Sequence, residues 1–261
     1  MAHVQLFVQL VLQKTNKLIK NNERLDDLQT NGLMLIQSID GYKFSTDSVL
    51  LANFGRAKQN DIYVDLCSGS GVVAILFSCK NNIKKAYAVE IQSRLADMAE
   101  RSVKYNNMSD IISVINDDLS NIHNILGFES VDVVTVNPPY NVAGNTSCSD
   151  EIAIATHELK TNLEKIVSAA SKVLKYGGKF LMVHRADRLV DILACCRQFK
   201  LEPKRLRIVY PKVGKEPNLV LIEAKKGAKS GLKILSPLVL NNNDGTETDE
   251  LKAIYNRPTK K

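Results

Sequence analysis

The chain has 261 residues, of which 44% are hydrophobic and 24% charged, the composition of an ordinary globular protein of one or two domains. No apolar run approaches the roughly 18 residues that span a bilayer. The apolar opening MAHVQLFVQLVLQ lacks the basic start and the small-residue cleavage site of a signal peptide. We therefore expect a cytoplasmic protein that does not enter the membrane.

The net charge of +7 and the pI near 9.1 favour a polyanionic partner, because each neutralised phosphate releases counterions. Basic residues are concentrated at 204–215 and 225–233, which we interpret as an RNA-facing surface, with solvated strand edges and loops as the alternative. The five cysteines and four histidines are scattered, with no CxxC pair and no metal-ligand spacing. The sequence therefore predicts free thiols and no bound metal.

From about residue 61 the chain alternates β-rich runs with helical ones. Strands are predicted at 61–66, 84–90, 111–116, 131–136, 179–184, 205–211 and 218–225. Helices are predicted at residues 72–77, 92–106, 158–176 and 188–199, the third being stopped by Gly177 and Gly178. This alternation predicts an α/β fold with a doubly wound, seven-stranded, mostly parallel, Rossmann-like sheet, whose last two strands form an antiparallel hairpin at one edge.

The first motif is DLCSGSG at residues 65–71, where the chain leaves the first of these strands and begins a helix. Gly69 and Gly71 let the backbone approach a ligand closely, and the helix N-terminus presents free N–H groups. The same residues satisfy the GxGxxG/A pattern of NAD enzymes, with Glu90 at the spacing of their ribose-binding acid. The motif alone therefore leaves two cofactors open.

Two further acids favour S-adenosyl-L-methionine (SAM) over NAD. We expect Asp65, at the strand end, to lie at the mouth of the site, where a carboxylate suits an ammonium and a sulfonium better than a pyrophosphate. Asn116, Asp117 and Asp118 end the third strand, and a carboxylate there is placed to accept a hydrogen bond from an adenine amino group. With Glu90 for the ribose diol, the set matches the needs of SAM.

The second motif is Asn137-Pro138-Pro139-Tyr140, directly after the predicted strand at 131–136. An adenine amino nitrogen is a weak nucleophile because its lone pair is delocalised into the ring. The Asn137 side-chain oxygen and the Pro138 carbonyl can accept both N–H bonds, and the two prolines hold these acceptors rigidly. Tyr140 can stack on the base. The motif predicts catalysis of N-methylation without a general base.

Together these motifs resemble the class I SAM-dependent N-methyltransferases of the (D/N/S)PP(Y/F) type, which include enzymes acting on adenine N6, guanine N2 and glutamine N5. The flanking residues 22–28 and 41–52 resemble the N-terminal blocks of bacterial tRNA1(Val) (adenine37-N6)-methyltransferases. His157-Glu158 and Gly231-Leu232-Lys233 also fit that family. The resemblance implies methylation of adenosine 37 in a valine tRNA, with tRNA as the partner.

The resemblance also implies a role for each matching residue. Implied cofactor contacts are Phe44, Ser45, Thr46, Asp65, Gly69, Gly71, Glu90 and Asp118, and the implied catalytic platform is Asn137, Pro138, Pro139 and Tyr140. Two positions depart from the family pattern. Cys67 stands where many class I enzymes have glycine, and Thr156 stands where arginine is expected.

We expect three segments in this chain. Residues 1–60 pack on and cap the cofactor site, residues 61–240 form the methyltransferase domain, and residues 241–261 form a polar tail with a short helix at 247–255. A monomer or a homodimer is expected. The alternatives are another NPPY methyltransferase, acting on protein glutamine, rRNA or DNA adenine, and a non-catalytic RNA-binding protein of the same fold.

Overall fold

One large mixed sheet organises the protein, and helices cover both of its faces. The computed structural model describes residues 18–40, 44–139 and 163–258. Its strands are β1 Glu23–Asp27, β2 Met34–Ser38, β3 Ile62–Leu66, β4 Lys85–Val89, β5 Ile112–Ile115, β6 Val131–Val136, β7 Leu174–Arg185, β8 Leu201–Lys212, β9 Leu219–Lys226, β10 Lys233–Ile234 and β11 Leu238–Asn241. Its α-helices are α1 Thr46–Phe54, α2 Val72–Asn81, α3 Ser93–Tyr105, α4 Ile122–Leu126, α5 Leu163–Val173, α6 Leu189–Gln198 and α7 Asp249–Ile254.

The strand order of the large sheet is β10-β8-β9-β7-β6-β3-β4-β5, and β11 also pairs with β8. From β5 to β7 all neighbours are parallel, whereas β9 runs antiparallel between β7 and β8. The mostly parallel α/β sheet with an antiparallel hairpin is thus confirmed, and the short strands β10 and β11 extend it beyond the seven that the sequence predicts. The chain builds outward from β3 to β5 and then returns to β6, so the switch point lies between β3 and β6.

Successive side chains of the central strands contribute to two different cores, as the two-residue period of a strand requires. In β7, Leu181 and Val183 pack with α1 and α2, while Phe180 and Met182 pack with α5 and α6. All four are fully buried. Each such side chain contributes roughly 1.5–3 kcal/mol to folding through burial. Among the described residues, no helix has the length and apolarity needed to cross a membrane.

The connection from α5 to β7 differs from the sequence prediction. The helix predicted at 158–176 ends at Val173, and Leu174 already pairs with Val131 of β6; its first residues lie outside the described range. The two glycines that were expected to stop this helix lie inside β7 instead. A Cβ at Gly178 would stand 2.9 and 3.2 Å from two backbone carbonyl oxygens, so glycine is required there by a close approach of backbone.

The hairpin of β1 and β2 docks on α3 and fixes the start of the chain against the main sheet. The Ile36 backbone N–H donates to the Ser102 hydroxyl at 2.9 Å. The Arg101 guanidinium donates to both carboxylate oxygens of Glu23, at 2.6 and 2.7 Å, and both side chains are largely buried. This docking holds the segment that leads into α1.

Candidate functional site

A cavity opens where the carboxyl ends of β3, β4, β5 and β6 meet, beside the switch point of the sheet. It contains about 790 Å³ of empty space, counting its open side. Its apolar wall includes Phe44, Val72, Val89, Leu95 and Leu119, and its polar wall includes Ser48, Ser68, Glu90, Asp117, Asp118 and Asn137. The residues that the sequence places after four different strands therefore surround one space.

The glycine turn after β3 has a backbone that only a few residue types adopt easily. Gly69 and Gly71 have φ values of +55° and +90°, and Cys67 has +56°. A Cβ at Gly69 would meet no atom within 4 Å, whereas one at Gly71 would stand 3.2 Å from the Ala99 Cβ. Gly69 therefore leaves room on the cavity side, and Gly71 lets α2 pack against α3. The backbone at Cys67 is left-handed, a conformation that glycine adopts without strain.

Glu90 follows β4, and its carboxylate binds the backbone of the glycine turn. Its Oε2 accepts a hydrogen bond from the Gly69 N–H at 2.8 Å, and its Oε1 accepts one from the Gln92 N–H at 2.9 Å. Glu90 is only 5% exposed, yet it lines the cavity. Burial raises the pKa of this carboxyl, while the backbone hydrogen bonds oppose the rise. The position is that expected for an acid facing a ribose.

Asp65 is buried outside the cavity wall and does not lie at its mouth, contrary to the sequence prediction. The reason is a chain of hydrogen bonds inside the sheet. Thr135 of β6 donates its hydroxyl to Asp65 Oδ1 at 2.6 Å, and the Tyr63 hydroxyl donates to Thr135 at 2.6 Å. Burial raises the pKa of Asp65 to about 7, although the hydrogen bonds from Thr135 and the Ala74 N–H lower it. Asp65 Oδ2 is buried with no partner in the described part of the chain.

Asp117 and Asp118 follow β5 and both line the cavity. Asp118 Oδ1 accepts from the Ser120 backbone N–H at 2.8 Å and from its hydroxyl at 2.6 Å, and so caps a short 3-10 turn. Burial raises the pKa of Asp118, but these hydrogen bonds and the charge of Lys165 outweigh it, so the pKa lies below its ordinary value. Asp118 is therefore an ionised acceptor at neutral pH.

Asn137 and Pro139 line the cavity, whereas Pro138 does not, and Tyr140 lies outside the described residues. The Asn137 Nδ2 donates to the Ser48 hydroxyl oxygen at 3.0 Å. Its Oδ1 is buried beside the cavity and has no hydrogen-bond partner among the described residues. An unsatisfied buried acceptor is costly and points to a missing donor at this place.

The N-terminal residues predicted to close over the cofactor divide into two groups. Phe44 lines the cavity, but Ser45 and Thr46 do not. Ser45 stands at the N-cap of α1 without a side-chain capping hydrogen bond, and the Thr46 hydroxyl accepts from the Tyr255 hydroxyl at 3.4 Å. One helical turn brings Ser48 back to the cavity side, because residues four apart share a face. Ser48 is a site residue that sequence reasoning did not find, since a lone serine in an apolar helix carries no signal.

The chemistry of the cavity fits SAM. Apolar side chains can enclose an adenine ring, Glu90 and Asp118 supply acceptors, and Gly69 leaves the approach open. Ser68 Oγ and Gln92 Oε1 are buried at the wall without partners in the described part of the chain. Groups that could bind the polar ends of the cofactor are thus present. Within the described ranges, no three His, Cys, Asp or Glu side chains are arranged to hold a metal ion.

A Rossmann-like sheet with a glycine turn and strand-end acids around one cavity defines a class I cofactor-binding α/β protein. Residues 43–193, more than half of the chain, match the model of the methyltransferase small domain family. The chain belongs to this family and is a methyltransferase whose cofactor is SAM. Tyr140 and His157-Glu158 fall within the matched span but outside the described residues.

Curated relatives have a more specific name than the family does. The tRNA1(Val) (adenine(37)-N6)-methyltransferase of Porphyromonas gingivalis is 26% identical over 187 residues, which are 69% of this chain and 73% of the relative. The enzyme of the same name from Aeromonas hydrophila is 24% identical over 208 residues, covering 79% of this chain and 86% of the relative. The similarity therefore spans most of both chains.

Solved structures agree on the fold. A predicted O-methyltransferase from Agrobacterium tumefaciens superposes with a TM-score of 0.67 at 20% identity and covers 80% of this chain and 95% of its own. TYW2 of M. jannaschii, solved in complex with AdoMet, gives a TM-score of 0.55 at 16% identity and covers 79% and 86%. At these identities the likeness supports the class I methyltransferase fold and nothing finer.

Proposed function

We propose that this protein transfers a methyl group from SAM to N6 of adenine 37 in a valine tRNA. The observation that carries the proposal is the buried Oδ1 of Asn137 at the cavity wall, which has no hydrogen-bond partner among the described residues and belongs to an Asn-Pro-Pro sequence at the end of β6. The relatives with the tRNA1(Val) name support the choice of substrate, because they match most of the chain. The concentration of basic residues along β8 and after β9 agrees with a polyanionic substrate.

SAM supplies, when bound, a methyl group made electrophilic by its sulfonium. The Asn137 Oδ1 accepts one N–H of the adenine amino group, and the Pro138 carbonyl accepts the other. These acceptors draw the lone pair out of the ring and stabilise the positive charge that develops on N6. Bound SAM would supply the methyl group to N6, S-adenosylhomocysteine would be the leaving group, and one N6 proton would pass to water. Tyr140 stacks on the base.

The cofactor is held by residues from three strand ends. The Glu90 carboxylate, fixed by the backbone of Gly69 and Gln92, accepts from the ribose diol. The ionised Asp118 accepts from the adenine amino group. Asp65 acts at longer range, because its carboxylate is buried behind the glycine turn and favours the positive charges of the ligand.

The test is methyl transfer from labelled SAM to an unmodified valine tRNA transcript, followed by nucleoside analysis. The same transcript with guanosine at position 37 is the substrate control. Asn137→Ala tests the platform, and Asn243→Ala, at an exposed asparagine of the C-terminal segment, is the matched control. We expect N6-methyladenosine at similar rates with wild type and Asn243→Ala, a rate lowered roughly 100- to 1000-fold with Asn137→Ala, and none in the substituted transcript. Labelling of the substituted transcript, or of a release factor or DNA in preference to tRNA, would refute the substrate.

A further inference from the structure

A buried serine on α1 contacts the catalytic asparagine from the far side of the cavity. Ser48 is 2% exposed, and its hydroxyl oxygen accepts the Asn137 Nδ2 at 3.0 Å. The two residues are 89 positions apart, on the first helix and after β6. The sequence motifs assign no role to Ser48, although it lines the same cavity.

The contact decides which end of the asparagine amide faces the substrate. An amide has a donor end and an acceptor end of nearly equal size, so only its hydrogen bonds define its orientation. With the NH₂ group bound to Ser48, Oδ1 is the end that has no partner in the described part of the chain. A rotation of 180° would place the NH₂ group against the substrate amino group, where two donors meet and no hydrogen bond forms.

Helix α1 is held rigidly enough to serve as a reference for this contact. Val49 and Leu51 are completely buried in the core that α1 shares with α2 and β7. At the end of the helix, a Cβ at Gly55 would overlap the Leu181 side chain, so α1 lies directly on the sheet. The serine hydroxyl is therefore fixed in space. In the observed pairing its oxygen accepts the Nδ2 N–H, which directs Oδ1 away from Ser48.

We infer that Ser48 is a positioning residue of the methyl-transfer reaction, which fixes the Asn137 amide with Oδ1 toward the substrate amino group. The inference rests on the proposed function, because it assigns a role relative to the nitrogen that is methylated. Ser48 acts through Asn137 and contributes to the chemical step, with little contribution to cofactor affinity.

The experiment compares Ser48→Ala, Ser48→Thr and wild type in the valine tRNA assay, with SAM affinity measured separately by calorimetry. We expect Ser48→Ala to lower kcat roughly 10- to 100-fold, while the SAM dissociation constant changes less than about threefold. Ser48→Thr keeps the hydroxyl and should recover most of kcat. The double variant Ser48→Ala/Asn137→Ala should be no slower than Asn137→Ala alone, because the serine has no other route to the reaction.

Ser78→Ala is the matched control, since Ser78 is also a buried helical serine but does not line the cavity. It should leave kcat unchanged. Equal kcat for Ser48→Ala and wild type, an additive loss in the double variant, or a parallel loss of SAM affinity would each overturn the inference. Absence of N6-methyladenosine with wild type would overturn the proposed function itself, so the two failures are distinguishable.

Discussion

Replacing Asp65 with asparagine should remove a pH dependence from the folding free energy of the protein. The carboxyl is completely buried, and burial raises its pKa from 3.8 to about 7. A raised pKa means that the folded state binds the proton more tightly than the unfolded chain does. The resulting stability is fully present below pH 4 and is lost as the pH rises to 7, where the folded protein must finally ionise this group.

The magnitude follows from the two pKa values. Each tenfold difference in proton affinity corresponds to about 1.4 kcal/mol, so complete ionisation of Asp65 costs roughly 4 kcal/mol of unfolding free energy. About 3 kcal/mol of this is lost between pH 5 and pH 8. For a chain of this length that corresponds to a fall of roughly 6–12 °C in Tm. The isosteric Asp65→Asn variant has no proton to lose and should not show this fall.

The assay is urea denaturation of the cofactor-free protein at pH 5, 6, 7 and 8, for wild type and Asp65→Asn. The difference in unfolding free energy between the two should change by about 3 kcal/mol in favour of the variant as the pH rises. SAM should stabilise wild type more at pH 8 than at pH 5, because its positive charges favour the ionised carboxyl. A constant difference between wild type and Asp65→Asn across this range would refute the assignment of a raised pKa.

Two further predictions concern the same part of the sheet. Thr135→Val removes the hydroxyl that donates to Asp65 and should lower the unfolding free energy at pH 7 by about 2–3 kcal/mol, whereas Thr135→Ser should not; urea denaturation checks both. Gly71→Ala should cost more stability than Gly69→Ala, about 2 against about 1 kcal/mol. Both positions have positive φ, but only the first places a new Cβ against Ala99. Equal losses for the two glycine variants would contradict this reasoning.

The central fold could be predicted from sequence because its signals are local. The strand predicted at 131–136 coincides with β6, and the helix predicted at 92–106 matches α3 to within one residue at each end. In a parallel sheet, the carboxyl ends of neighbouring strands lie at the same edge. The residues after the strands could therefore be assigned to one site before their contacts were known.

The remaining features depend on contacts that no local pattern encodes. The sequence identifies Asp65 as an acid at the end of a strand. Whether its side chain faces the cavity or the interior of the sheet depends on Thr135, which is 70 positions away. In the sequence Ser48 is one polar residue in an apolar helix. The positioning role inferred for it depends on its distance to Asn137, which only the structure gives. The local pattern predicts that Gly178 ends a helix. Glycine is required there for a different reason, because backbone packs closely against it in three dimensions.

Basic residues along β8 also make hydrogen bonds within the protein. Arg207 donates to the Glu250 carboxylate at 2.5 Å, and Lys212 donates to the Asn243 carbonyl at 2.5 Å. These bonds tie the segment that contains β11 and α7 to the sheet. An RNA-facing role for residues 204–215 stays a prediction, and part of this positive charge is neutralised within the protein.

The C-terminal segment that contains β11 and α7 is connected to the site by its contacts with α1. Helix α7 contacts α1, and the Tyr255 hydroxyl donates to Thr46 at the first residue of that helix. Ser48, which contacts Asn137, lies two positions further along the same helix. The C-terminal segment, although outside the span matched by the family, therefore supports the helix that contacts Asn137.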